Sequence, residues 1–130
     1  MPMTFPIFKK KKRNEVNLMD LTPITLYEHE MNGEGLINVL VPRFQDRILG
    51  KYLQPKMRNK YIKANLDKFG TATWQMMDGT TKVTELSDGL LQKFGKEIEP
   101  VDKRLILFLT NLYQNGFIQF KETMKGNDNG

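Results

Sequence analysis

The sequence predicts an α+β protein: a small N-terminal antiparallel β-sheet followed by a winged-helix-like bundle of three helices. Three observations carry that prediction. Apolar residues recur at helical spacing in three runs between residues 66 and 120, each run is closed by a glycine, and the residues before them change to a strand-like period. At 130 residues the chain is long enough to bury a modest core.

The strands come first. Ile24, Leu26 and then His29 to Asn32 read as one irregular strand, Gly33-Glu34-Gly35 as a turn, and Leu36 to Val41 as an apolar strand, which together make an antiparallel hairpin. Lys60 to Leu66, with Tyr61, Ile62 and Ala64, reads as a third strand. Between the second and third strands, residues 43 to 59 hold Ile48, Leu49, Tyr52 and Leu53 at helical spacing among Arg43, Arg47, Lys51, Lys56 and Arg58. That pattern predicts a short basic amphipathic helix ending before Pro55.

Three helices follow. Asp67 is a suitable N-cap for the first, which is expected to reach about Met77, because its carboxylate accepts the unpaired amides of the opening turn. Asp78-Gly79 makes the next turn. In the second helix Val83, Leu86, Leu90, Leu91 and Phe94 form one apolar stripe, and Gly95 stops it. Lys82 carries no acceptor, so Thr81 is expected to cap. The third helix opens with Pro100 in its first turn, buries Val101, Leu105, Phe108, Leu109 and Leu112, and ends at Asn115-Gly116 with Phe117 folding back. Trp74, Phe108 and Phe117 are read as core residues.

Charge and composition narrow the function. The net charge is +5, and Lys9, Lys10, Lys11, Lys12 and Arg13 carry all of it, so the remainder of the chain is neutral. Within that remainder the charge is segregated: residues 14 to 42 sum to −5, residues 43 to 63 to +6, and residues 64 to 130 to −1. A DNA-reading third helix needs clustered basic and amide side chains. Here Lys103, Arg104, Asn111 and Gln114 stand beside Asp102 among apolar residues, so winged-helix DNA binding is the weaker alternative and nucleic acid an unfavoured partner. With no cysteine and one histidine, there is no thiol nucleophile, thiolate metal site or two-histidine metal site. His29, between Glu28 and Glu30, reads as a solvated strand residue. No catalytic residue, metal site or cofactor is read, and the chain is taken as a non-enzyme.

Residues 1 to 20 read as a basic tail expected to be disordered, residues 21 to 121 as the folded domain, and residues 122 to 130 as a frayed terminus. The charge in the tail follows a short, proline-broken apolar stretch, which is the reverse of a secretory signal. Phe5, Ile7 and Phe8 beside Lys9 to Arg13 suit an anionic membrane surface, so the alternative function is a peripheral membrane or scaffold adaptor using the tail and the 43 to 59 segment. The localisation read from these features is cytoplasmic, with a peripheral place at the inner membrane surface under that alternative.

The ordered set LDKFGTATWQMMDG, TTKVTELSDGLLQKFG and RLILFLTNLYQNGFIQF, together with the strands before it, resembles the PqqD family over roughly Thr22 to Lys121. The 43 to 59 segment is an insertion relative to shorter members, which turn tightly there. The resemblance implies a small non-catalytic chaperone that binds the leader of a ribosomally made precursor peptide and presents it to a partner, commonly a radical-SAM enzyme; in the best-known case the product is pyrroloquinoline quinone. It also implies that the leader adds as a strand at the edge of the third strand, with the third helix as the other wall of a groove. The peptide-binding residues expected on this basis are Lys60, Tyr61, Ile62, Lys63 and Ala64 on the strand, and Ile106 and Tyr113 on the helix. The basic set from Arg43 to Lys63 favours an acidic leader.

Overall fold

The computed structural model describes residues 17–42 and 61–124. Its strands are β1 (Pro23–Thr25), β2 (His29–Met31), β3 (Ile37–Pro42), β4 (Tyr61–Asn65) and β5 (Ile118–Phe120), and its helices are α1 (Lys68–Met76), α2 (Val83–Phe94) and α3 (Val101–Gln114). Mixed helices and small antiparallel sheets make this an α+β fold, as the sequence predicts. Residues 1 to 16 of the expected tail, the 43 to 59 segment and Lys60 lie outside the described residues. The chain divides into two compact units, residues 27–71 and the remainder, with the boundary inside α1.

The first unit is a three-stranded antiparallel sheet in the order β2-β3-β4, continued by the opening turn of α1. The β2-β3 hairpin forms as expected. Asn32 organises its turn: its Oδ1 accepts the amides of Glu34 and Leu36 at 2.8 and 3.0 Å, and Gly35 takes the positive φ of 81° that a side chain would resist. Ile37 and Val39 are fully buried. Beyond β4, Asp67 caps α1, its Oδ1 accepting the Gly70 amide at 2.8 Å and its carbonyl the Thr71 amide. The Thr71 hydroxyl then accepts the Ile37 amide at 3.0 Å, which satisfies a donor that β4 does not reach.

The second unit holds the remaining helices and a separate two-stranded sheet, β1 with β5. Here the expected single irregular strand is corrected. Residues 23–25 leave the hairpin and pair with Ile118–Phe120 in the register Pro23↔Phe120, Ile24↔Gln119, Thr25↔Ile118. Burial gives the reason, since Phe120 and Ile118 alternate inward and are almost completely covered. The packed region also reaches beyond residues 21 to 121: Leu18 is buried in a short 3-10 turn capped by Asn17, and Glu122 accepts both the amide and the hydroxyl of Thr22 at 2.7 and 2.8 Å.

The helices follow their punctuation, with three corrections. Lys82, not Thr81, is the N-cap residue of α2; it caps through its backbone, with its amide donating to the Glu85 carboxylate at 2.8 Å. Thr81 and Thr80 instead donate to Asp78, which gathers four bonds of 2.9 to 3.0 Å. Leu91 is exposed, and Ser87 takes the fourth buried place beside Val83, Leu86 and Leu90. The Ser87 hydroxyl is satisfied by Asp102 of α3 at 2.6 Å. Pro100 precedes α3 as its N-cap and does not lie in its first turn. The end of α3 is as expected: Gly116 has φ 79°, its amide bonds the Tyr113 carbonyl, and the Phe117 amide bonds that of Leu112, the paired pattern of a Schellman cap. Trp74 is buried at 3% exposure, while Phe108 and Phe117 are half-buried.

Candidate functional site

The register of the three-stranded sheet determines which backbone groups face outward from β4. Leu40 donates to Glu28 and Asn32 to Leu36, so the even residues of β3 point their amides and carbonyls at β2. The odd residues therefore point at β4, and the Leu66 amide on the Ile37 carbonyl agrees. With Val39↔Ala64 and Val41↔Ile62 in register, Ile62 and Ala64 spend their backbone groups on β3. Those of Tyr61, Lys63 and Asn65 point away from the sheet. Among the described residues β4 has no second neighbour, so these groups form a free edge.

The side chains of β4 divide by the period of two. Ile62 and Ala64 share the face of Val39 and Val41, and Ile62 remains 53% exposed at the rim of that apolar face. Tyr61, Lys63 and Asn65 share the other face with Glu30, Asn38 and Leu40. There the Lys63 ammonium pairs with Glu30 at 2.9 Å, across the central strand and over Asn38. The Asn38 amide also reaches Glu30, at 3.4 Å, while its buried Oδ1 has no partner among the described residues. The bonds from Lys63 and then Asn38 hold the Glu30 carboxyl below its ordinary range.

Of the strand residues expected at the site, Tyr61, Ile62, Lys63 and Ala64 lie together on this edge strand. Asn65 was not among them, although counting alternate residues from Tyr61 would have found it. Ile106 and Tyr113 belong to the helical unit, seven residues apart on one side of α3. Ile106 lines an open apolar depression of about 470 Å³ with Pro100, Leu107 and the side chains of Lys103 and Arg104. Leu107, 56% exposed, was missed because it falls outside the core stripe. The Tyr113 ring lies against Phe120 with centroids 5.4 Å apart. Among the described residues no group of three or more His, Asp or Glu side chains is arranged to hold a metal ion, and no helix is long and apolar enough to cross a membrane.

Among the described residues the outward row of β4 lies beside the half-exposed apolar rim at Ile62, and strand edges of that general kind can pair with an extended chain through the main chain. The family described as Coenzyme PQQ synthesis protein D (PqqD) matches residues 53–118, half of the chain, and the protein belongs to that family. The match starts at residue 53, so it takes in β4 and all three helices and leaves β1 to β3 outside. PqqD is a family of non-catalytic accessory proteins in coenzyme PQQ or peptide-modification biosynthesis, whose members interact with a precursor peptide and a modifying enzyme. No curated protein and no solved structure matches the chain.

Proposed function

We propose that this protein is a non-catalytic peptide-binding chaperone that takes the leader of a ribosomally made precursor as an added strand on β4 and presents it to a modifying enzyme, such as a radical-SAM maturase. The observation that carries the reading is the edge of β4, where Tyr61, Lys63 and Asn65 offer three backbone positions with no sheet partner among the described residues. Main-chain pairing supplies affinity in such a mode, and the alternate side chains supply selectivity. Within the helical unit, Leu107 and Tyr113 of α3 are exposed and Ile106 is half-buried beside them.

Amide exchange by NMR tests the reading. On adding candidate leader peptides, protection should rise at the amides of Tyr61, Lys63 and Asn65, which have no sheet partner among the described residues. The amides of Ile62 and Ala64, already paired with β3, should change little. A response seen only with anionic vesicles would replace the chaperone by the membrane adaptor, and one seen only with duplex DNA would replace it by DNA binding.

A further inference from the structure

We propose, resting on strand addition at β4, that the accepted segment alternates in chemistry: a carboxylate opposite Lys63, with apolar side chains opposite Ile62 and Ala64. The register leads to this pattern. A strand added to an edge places each residue on the same face as the residue it pairs with, whether it runs parallel or antiparallel. The position opposite Ile62 therefore extends the face of Val39 and Val41, where Ile62 leaves apolar surface at the rim and half-buried Ala64 leaves room for a larger neighbour. A β-branched or aromatic side chain there continues the apolar layer.

The opposite face calls for charge. Lys63 is 56% exposed, and its ammonium has three donors, of which the 2.9 Å pair with Glu30 uses one. Glu30 lies on the β2 side of Lys63, and the added strand would lie on the other side, so a carboxylate from that strand meets donors that Glu30 does not occupy. An ammonium at the same position would stand beside Lys63 with no acid of the edge strand to offset it. The recognised chemistry is thus an extended segment reading apolar-acidic-apolar, set by one lysine and its two strand neighbours. This is narrower than a general liking of a basic surface for acidic peptides.

Three capped peptides separate this inference from the reading beneath it: Val-Glu-Val-Glu-Val, Val-Lys-Val-Lys-Val, and the block isomer Val-Val-Val-Glu-Glu. Each is titrated at low salt into the full chain and into Lys63→Glu, with binding read from NMR shifts and strand addition read from protection of the Tyr61, Lys63 and Asn65 amides. The wild-type chain should favour the alternating acidic peptide over the basic one by roughly threefold to tenfold, as opposite against like cross-strand charges do, and over the block isomer by a smaller factor. Lys63→Glu should reverse the order of the acidic and basic peptides, with the Val39 and Leu40 amides remaining protected as evidence that the sheet is intact. Equal binding of all three peptides with the edge amides protected overturns the pattern and leaves strand addition standing. An acidic preference that survives in Lys63→Glu overturns the role of Lys63. Failure of every peptide to protect the edge amides removes strand addition itself.

Discussion

The outer edge of β1 and the outer edge of β4 have the same antiparallel geometry and opposite chemistry. In the β1-β5 pair, the Lys121 amide bonds the Thr22 carbonyl and the Leu26 amide bonds that of Phe117, so Ile24 also pairs inward and Pro23 and Thr25 face out. Pro23 has no amide hydrogen, and an edge of three residues that lacks one donor is a poor template. The outward row of β4 is Tyr61, Lys63 and Asn65, every one with a donor and an acceptor. Side chains sharpen the contrast, since β5 buries Ile118 and Phe120 while Tyr61 and Ile62 on β4 are 44% and 53% exposed. One outward edge lacks a donor; the other, among the described residues, keeps every donor and acceptor.

The largest effect is expected in the helical unit, where Trp74 is 3% exposed. Trp74→Ala should lower stability by about 3 to 5 kcal/mol, the cost of truncating a large aromatic side chain in a packed core. Thermal and denaturant unfolding midpoints measure it, and midpoints close to wild type would show that this unit does not depend on its core as the contrast requires. Two proline substitutions then probe the open edge. Ile62→Pro removes a ladder donor and leaves a carbonyl of β3 unpaired, a loss of about 1 to 3 kcal/mol. Lys63→Pro removes an outward donor and the exposed ion pair with Glu30, but no ladder bond, and should cost less stability while abolishing peptide binding. If the two rank the other way in amide exchange of the sheet, the assigned direction of the edge is wrong.

A smaller effect is expected at the closed pair. Glu122 accepts the amide and hydroxyl of Thr22, which is itself buried, so Glu122→Ala should cost about 1 to 2 kcal/mol by leaving those groups unsatisfied. Burial pushes the Glu122 carboxyl up, but the two bonds from Thr22, together with its own amide and the Lys82 charge, outweigh this, and its pKa lies below the ordinary value. The corresponding stability is present above the ordinary carboxylate range and is lost as pH falls through the lowered value. Wild type and Glu122→Ala should therefore converge in strong acid, and an undiminished gap at low pH would mean that charge plays no part in the clamp.

The last effect is on titration. The Thr80 amide, then the Thr81 and Thr80 hydroxyls, draw the Asp78 pKa from 3.8 down to about 2. A carboxyl NMR titration should find Asp78 ionised well below the midpoints of unpaired aspartates. Because its folded value is depressed, its contribution is complete above pH 3.8 and fades toward pH 2. A midpoint near the ordinary value would break the four-bond turn between α1 and α2.

The helices and their ends were legible in the sequence because their signals are local. Asp67, Gly95, Asn115 and Gly116 act within one turn of where they stand, and an apolar stripe of period 3.6 specifies its own buried face. Where that reading failed, another side chain had intervened, in one case from a different helix and in the other from three residues back. Ser87 displaced Leu91 from the buried stripe because Asp102, on another helix, accepts its hydroxyl, and Thr81 gave up capping because Asp78 gathers it.

Strand partners were not legible in the same way. The period of two states which side chains share a face, but not which strand lies alongside. The sequence by itself determined that a strand lies within residues 60 to 66, that neighbours along it such as Ile62 and Lys63 face opposite ways, and that three helices follow. Only the tertiary structure decided that β1 leaves the hairpin for β5, that β4 is an edge among the described residues, and that Tyr61, Lys63 and Asn65 face outward along it. The physical reason is that backbone hydrogen bonds between strands carry no side-chain identity, so pairing is settled by which apolar faces are buried together across the whole chain.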